Sequence, residues 1–195
     1  MDSIYLKRKA IEWLKNKYPN SVITTELAIS SYGKTSVDVA AIVNDEIIGI
    51  EIKGDGDSPS RLELQGPAYS LTLQKIYLLP SVSLKEKCLK KCPFNWGWGF
   101  LDIDDKGVIK IKSKAHYINC NSPEMLLSIL WTNELKELAK KLNIKITRED
   151  GKKIKPRRDD YISCLVDNLT LPSIRKETCN SLFNRNWNLT EKKIY

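Results

Sequence analysis

The sequence predicts an α/β fold: a mixed central sheet of about four strands flanked by helices, followed by a helical C-terminal extension. Three observations lead there. Short apolar runs of strand length, several bounded by turn residues, are spread between residues 21 and 111. Stretches with apolar residues at helical spacing precede these runs and fall between them. After about His116 the strand-like runs stop and helical patterns carry on alone, which divides the chain into a core, residues 1–115, and a helical extension packed on it, residues 116–195.

Taken in order, Ile4, Leu6, Ala10, Ile11, Leu14 and Tyr18 recur near helical spacing among Lys7, Arg8, Lys9, Lys15 and Lys17, so Ser3 to Lys17 is an amphipathic helix stopped by Pro19-Asn20. Ser21 to Ser30 supplies a first extended element, and Ser31-Tyr32-Gly33-Lys34 a turn. Ser36–Val43 and Ile47–Lys53 form a hairpin around Asn44-Asp45-Glu46. A loop rich in Gly and Asp, residues 54–60, leads to a helix from about Arg61 to Thr72, which Gly66-Pro67 kinks or delays. Lys75–Leu79 is a buried strand, Ser83–Lys91 a helix, and Trp98–Ile103 with Val108–Ile111 a second hairpin. In the extension, Ser122-Pro123-Glu124 opens a single long helix to Leu142, and two more run from about Arg158 to Leu169 and Pro172 to Phe183.

Composition bounds the function. With 42% hydrophobic and 29% charged residues the chain reads as a soluble globular protein. It lacks an apolar run of about 18 residues and an apolar leader, so a cytoplasmic protein with no membrane role is expected. Five scattered cysteines do not form a disulfide framework. Cys88 and Cys92, with His116 downstream, fall short of the paired spacings of zinc or iron–sulfur sites, which leaves unpaired thiols as the expectation. A net charge of +8 favours a polyanion partner.

Asp38, followed after twelve residues by Glu51-Ile52-Lys53, carries the chemistry. Side chains alternate along a strand, so Glu51 and Lys53 share a face, and a hairpin brings Asp38 beside them. Two carboxylates can hold Mg2+ or Mn2+, with the backbone carbonyl of Ile52 as a further ligand. Such an ion polarises a phosphate and lowers the pKa of water, and Lys53 can orient the nucleophile or stabilise the transition state. Both carboxylates sit in apolar strands, Val-Asp-Val-Ala-Ala-Ile-Val and Ile-Ile-Gly-Ile-Glu-Ile-Lys, where an unpaired charge is costly.

Val37-Asp38-Val39 and Ile50-Glu51-Ile52-Lys53 resemble the signature of PD-(D/E)XK nucleases, with Val37 in place of the proline. Thr25-Glu26-Leu27 matches an upstream acidic residue of many members, and Gln65-Gly66-Pro67-Ala68-Tyr69 the Gln-x3-Tyr motif of RecB-like members. The run from Glu26 to Tyr69, and Leu126–Leu135 after it, look like small bacterial and phage nuclease-like proteins. The resemblance implies a restriction-endonuclease-like core over residues 1–115 and a Mg2+-dependent deoxyribonuclease. Asp38 and Glu51 would then be metal ligands and Lys53 the catalytic lysine. Glu26 would hold metal through water or a second ion, and Gln65 and Tyr69 would position the metal-bound groups or substrate.

Other residues are weighed against plainer roles. Arg61 is equally a DNA-phosphate contact or a solvated helix charge, and so is the basic stretch Lys152, Lys153, Lys155, Arg157 and Arg158. Asp55 and Asp57 read as turn formers. The Asn95–Phe100 aromatic run reads as a core hairpin rather than a base-stacking platform, and His116 stands alone. The expected function is a metal-dependent DNA nuclease, paired as a homodimer if it cuts both strands. The alternatives are a catalytically inactive nuclease-fold module that binds DNA or protein, and a phage-encoded effector.

Overall fold

Helix α1 (Ser3–Lys17) begins where the Asp2 carboxylate accepts the Tyr5 N–H at 2.7 Å, and it buries Leu6, Ala10 and Leu14 along one stripe. The computed structural model describes residues 1–29, 35–92, 97–148, 150–151 and 154–187. The expected turn at residues 31–34 therefore lies outside the described residues, as do Asn95 and Trp96.

Among the described residues six strands form one mixed sheet in chain order: β1 (Val22–Ala28), β2 (Ser36–Val43), β3 (Glu46–Lys53), β4 (Lys75–Pro80), β5 (Gly99–Ile103) and β6 (Ile109–Ser113). The expected count of about four is exceeded because antiparallel partners extend both sides: β1 pairs with β2, and β6 with β5. A two-residue turn, with Asn44 at φ 52°, closes the β2–β3 hairpin at Val43 and Glu46. β3, β4 and β5 are parallel, which requires a crossover between each pair. Helices α2 (Leu62–Thr72) and α3 (Lys85–Lys91) supply them, each entered through a short 3-10 turn. Pro67 lies inside α2 without ending it.

Two apolar layers follow from strand alternation. α1 covers one face, packing on Val39, Ala41, Ile48, Ile50, Leu79 and Leu101. The other face meets α2, α3 and the C-terminal helices in a single core containing Ala40, Ile42, Leu62, Leu126, Leu165 and Leu182. Between the layers, buried Gln74 accepts the Ile47 N–H at 2.6 Å and donates to Asn121 Oδ1 at 2.9 Å, tying the sheet to the segment after β6.

The long helix expected from Glu124 to Leu142 is instead two, α4 (Pro123–Leu127) and α5 (Thr132–Lys141). The break is held by side chains that no periodicity reveals. Glu134 accepts the Trp131 N–H at 2.6 Å as an N-terminal cap. Arg158 donates from one nitrogen to the carbonyls of Ser128 and Leu130, both at 2.7 Å, and Arg185 donates to Ile129 O at 3.1 Å. Arg158, at the start of α6 (Arg158–Asn168), and Arg185, just past the end of α7 (Leu171–Phe183), thus reach carbonyls that an unbroken helix would have satisfied internally.

The start of α1 is fastened to the loop after β3. The N-terminal ammonium pairs with Asp55, and Asp55 N donates to Met1 O at 3.0 Å. Gly54 makes this contact possible, because a Cβ there would stand 2.5 Å from Ser3 N and 2.9 Å from Ser3 Cα. The obstacle is backbone, so it cannot rotate away. Gly54→Ala is expected to cost roughly 1–3 kcal/mol, read as a fall of roughly 2–10 °C in Tm by circular dichroism; an unchanged Tm would show that α1 is free to shift.

Candidate active site

The site forms where regular pairing fails. Thr25–Val39 and Leu27–Val37 pairs bracket Glu26 and Asp38 on β1 and β2, and Val39 pairs with Ile50 between β2 and β3. Extending these registers places Glu26, Asp38 and Glu51 level on three neighbouring strands. The β2–β3 ladder ends at Val39 and Ile50, however, and beyond it the Asp38 carboxylate, not the β2 backbone, accepts the Ile52 N–H at 2.7 Å. The N–H and C=O of one residue point to the same edge of a strand, so the Ile52 carbonyl faces the same gap.

Alternation breaks at the same level. Val39 packs on the α1 face but Val37 on the opposite one, although residues two apart on a regular strand share a face. On β1, Ile23 and Leu27 are split in the same way, and between them Glu26 has φ 53°. The left-handed region costs a residue with a Cβ roughly 1–2 kcal/mol, and such strain concentrates at functional sites.

Glu51 and Lys53 project together from the end of β3, with side chains only 3% and 7% exposed. Lys53 Nζ lies 2.5 Å from Glu51 Oε1 and 3.4 Å from Gln65 Oε1. On α2, Gln65 and Tyr69 are one turn apart on the same face, and Gln65 Nε2 donates to the Tyr69 hydroxyl at 3.1 Å. That hydroxyl has one proton and two acceptors, Glu51 Oε2 at 2.6 Å and Ser36 O at 2.7 Å. The charged acceptor is the stronger one. Burial and the Glu51 carboxylate hold the Tyr69 phenol far above its ordinary range, so it remains a donor. Trp98 stacks on the Tyr69 ring at 5.7 Å and supports it from the core.

Asp38 is three-quarters buried. Burial first, and the Glu51 carboxylate second, push its carboxyl up to about 7, against the opposing Ile52 N–H and Lys7. Lys7, on α1, was absent from the sequence-based site. It pairs with Glu26 and lies 3.9 Å from Asp38 Oδ1. Its signal was present: Lys7 precedes buried Ala10 and Leu14 by three and seven residues, which puts it on the border of the apolar stripe. Ser36 was missed too, and donates to Glu26 Oε2 at 3.1 Å.

The remaining candidates scatter. Arg61 is exposed at the entry to α2, near enough for its charge to act on Tyr69. Arg157 caps α6 through Asp160, Arg158 serves the α4–α5 break, and Lys152 and Lys153 lie outside the described residues. Asp57 accepts the Gly54 N–H at 2.7 Å as a turn residue. His116 is exposed, and Cys88 and Cys92 are buried free thiols. Glu26 also lines a cleft of about 530 Å3 between β1 and residues 129–131, with Arg158 and Arg185 on its far wall.

Among the described residues no three His, Cys, Asp or Glu side chains gather closely enough to cage an ion. A hard cation that keeps several waters needs only one or two carboxylates. Asp38 and Glu51 fit that demand, since they stand level on neighbouring strands where the ladder has opened and each carboxylate oxygen can accept more than one partner. No helix among the described residues is long and apolar enough to cross a membrane.

Comparison with known proteins places the chain in a family. The curated protein cII of Enterobacteria phage P4 is 25% identical over 183 residues, which is 92% of this chain and 66% of that protein, so the chain spans just under two thirds of its relative. Among solved structures, the SPO1766 protein of unknown function from Silicibacter pomeroyi is similar at 19% identity and a TM-score of 0.48, over 77% of this chain and 94% of that one. The family described as Bacteriophage P4 protein cII matches residues 4–193. The chain belongs to the Bacteriophage P4 protein cII family.

Proposed function

We propose that the chain is a metal-dependent DNA nuclease, with Asp38 and Glu51 as metal ligands and Lys53 as the catalytic cation. One observation carries the reading: the ladder between β2 and β3 opens where Asp38 and Glu51 stand level, and Lys53 is buried against Glu51 at the same point. An ion pair and a further carboxylate in so dry a place are costly as pure structure.

A divalent cation bound there, Mg2+ or Mn2+, supplies Lewis-acid polarisation of a phosphate and a water of lowered pKa. The chain's own groups do the rest. Asp38 is oriented by the Ile52 N–H, and Glu51 by Tyr69 and Lys53. The Lys53 ammonium, steadied by Glu51 and Gln65, meets the charge that develops on a phosphodiester lying across the end of β3. The carboxyl ends of parallel strands are where open α/β sheets receive ligands. Glu26 stands at the outer end of the same row.

A second reading, a module that binds DNA without cutting it, is favoured by one fact: both Glu51 oxygens already accept from the chain's own donors. Linear, circular and single-stranded DNA incubated with Mg2+ or Mn2+ separates the two. Cleavage that stops on chelation supports the nuclease. Salt-dependent binding with every substrate left intact supports the module and overturns the nuclease.

A further inference from the structure

We propose that Lys7 holds the place of a second cation between Glu26 and Asp38, so that the site takes one divalent ion rather than two. The inference rests on the metal reading above and adds the number of ions and the residue that sets it.

Three carboxylates in line across three strands would suit two cations; in two-metal sites these stand about 3.5–4 Å apart. Here the interval between the first two carboxylates is already filled. Lys7 Nζ pairs with Glu26 Oε1 and is 3.9 Å from Asp38 Oδ1. Lys53 pairs with Glu51 at the other end of the row. The formal charges of Glu26, Asp38 and Glu51 with Lys7 and Lys53 sum to −1 (three negative, two positive). One divalent ion reverses that sum to +1, whereas two would raise it to +3. Without Lys7 the row holds −2: the first divalent ion brings it to 0, so a second meets a neutral row (0 to +2) instead of one already positive (+1 to +3).

Lys7 is not a loose surface lysine. Its side chain is 15% exposed while that of its partner Glu26 is 57% exposed. Its helix is fastened at the first turn by the Met1–Asp55 pair and the close approach of Gly54 to Ser3. Glu26 meets it from a strained backbone, at φ 53°. An ordinary exposed ion pair contributes little to stability and sets no ion count. The two roles therefore predict different stoichiometry.

Mn2+ bound to the full chain, counted by electron paramagnetic resonance of the free ion and by calorimetry, tests this. The wild type and Lys7→Arg are expected to bind one ion. Lys7→Met, which keeps the length of the side chain and removes its charge, is expected to bind two, and adding Glu26→Gln to it should return the count to one. Two ions on the wild type overturn the inference without recourse to any variant. One ion on Lys7→Met, with its folding checked by circular dichroism, also overturns it. No ion on any of these proteins sinks the metal reading itself and takes this inference with it.

Discussion

Lys53→Met is expected to lower the rate of DNA cleavage by roughly 1,000-fold, the size of losing one preorganised charge-stabilising donor. The same change should also destabilise the fold, which makes a single variant ambiguous. Glu51 and Lys53 are both nearly inaccessible and 2.5 Å apart. Removing one partner leaves an uncompensated buried charge and costs roughly 3–5 kcal/mol, although Tyr69 and Gln65 remain to share part of the load. Glu51→Gln leaves the ammonium unpaired instead and is expected to abolish cleavage as well.

The double variant Glu51→Gln/Lys53→Met resolves the ambiguity. Two neutral groups of the original length replace the pair, and a buried ion pair exchanged for neutral groups of similar volume is often no less stable. Thermal unfolding should show most of the lost stability restored, while cleavage stays absent. That separation is what a catalytic pair predicts. If the double variant regained cleavage along with its stability, the pair would be structural and the assignment of Glu51 and Lys53 to the chemistry would fail.

The hairpin that carries this pair was readable because its signals are local. Short apolar runs on both sides of Asn44-Asp45 mark the strands, the tight turn sets the register, and the register sets Asp38 against Glu51. Gln65 and Tyr69 were readable for the same reason, being one helical turn apart on α2. The departures arise from contacts distant in sequence. The helix break at residues 128–131 has one local mark, the Glu134 cap on Trp131, while its carbonyls are satisfied by Arg158 and Arg185, 28 and 56 residues away along the chain. The reversal of faces at Glu26 and Asp38 is silent, since polar residues there fit either face of a strand. Lys7 was read as part of the solvated side of α1, and only the packing of α1 across β2 and β3 brings it to Glu26.

The level at which β1 and β2 lose their regularity is also the level of the charges, and this has an energetic consequence for Asp38→Asn. Asp38 is raised from 3.8 to about 7 in the folded chain, chiefly by burial and then by Glu51. The folded state therefore holds the Asp38 proton more tightly than the unfolded state does. The stability this contributes is fully present below about pH 4 and is lost as pH rises through about 7. At pH 8, without metal, the chain carries an ionised and three-quarters-buried Asp38 next to another carboxylate. Asparagine keeps a carbonyl oxygen for the Ile52 N–H and discards the charge. Full linkage over that interval would be worth about 4 kcal/mol at about 1.4 kcal/mol per pH unit, and partial exposure reduces the expectation to about 1–3 kcal/mol. In the absence of divalent ions, Asp38→Asn should accordingly unfold roughly 2–10 °C higher than the wild type at pH 8, and the gap should close by pH 4. Added Mn2+ should reverse the order at pH 8, raising the wild type by mass action and leaving the variant where it was. An Asp38→Asn protein less stable than the wild type at pH 8 would mean that the carboxylate is there for the backbone it caps. A more stable one that ignores Mn2+ would mean that the fold bears this charge for the ion it binds.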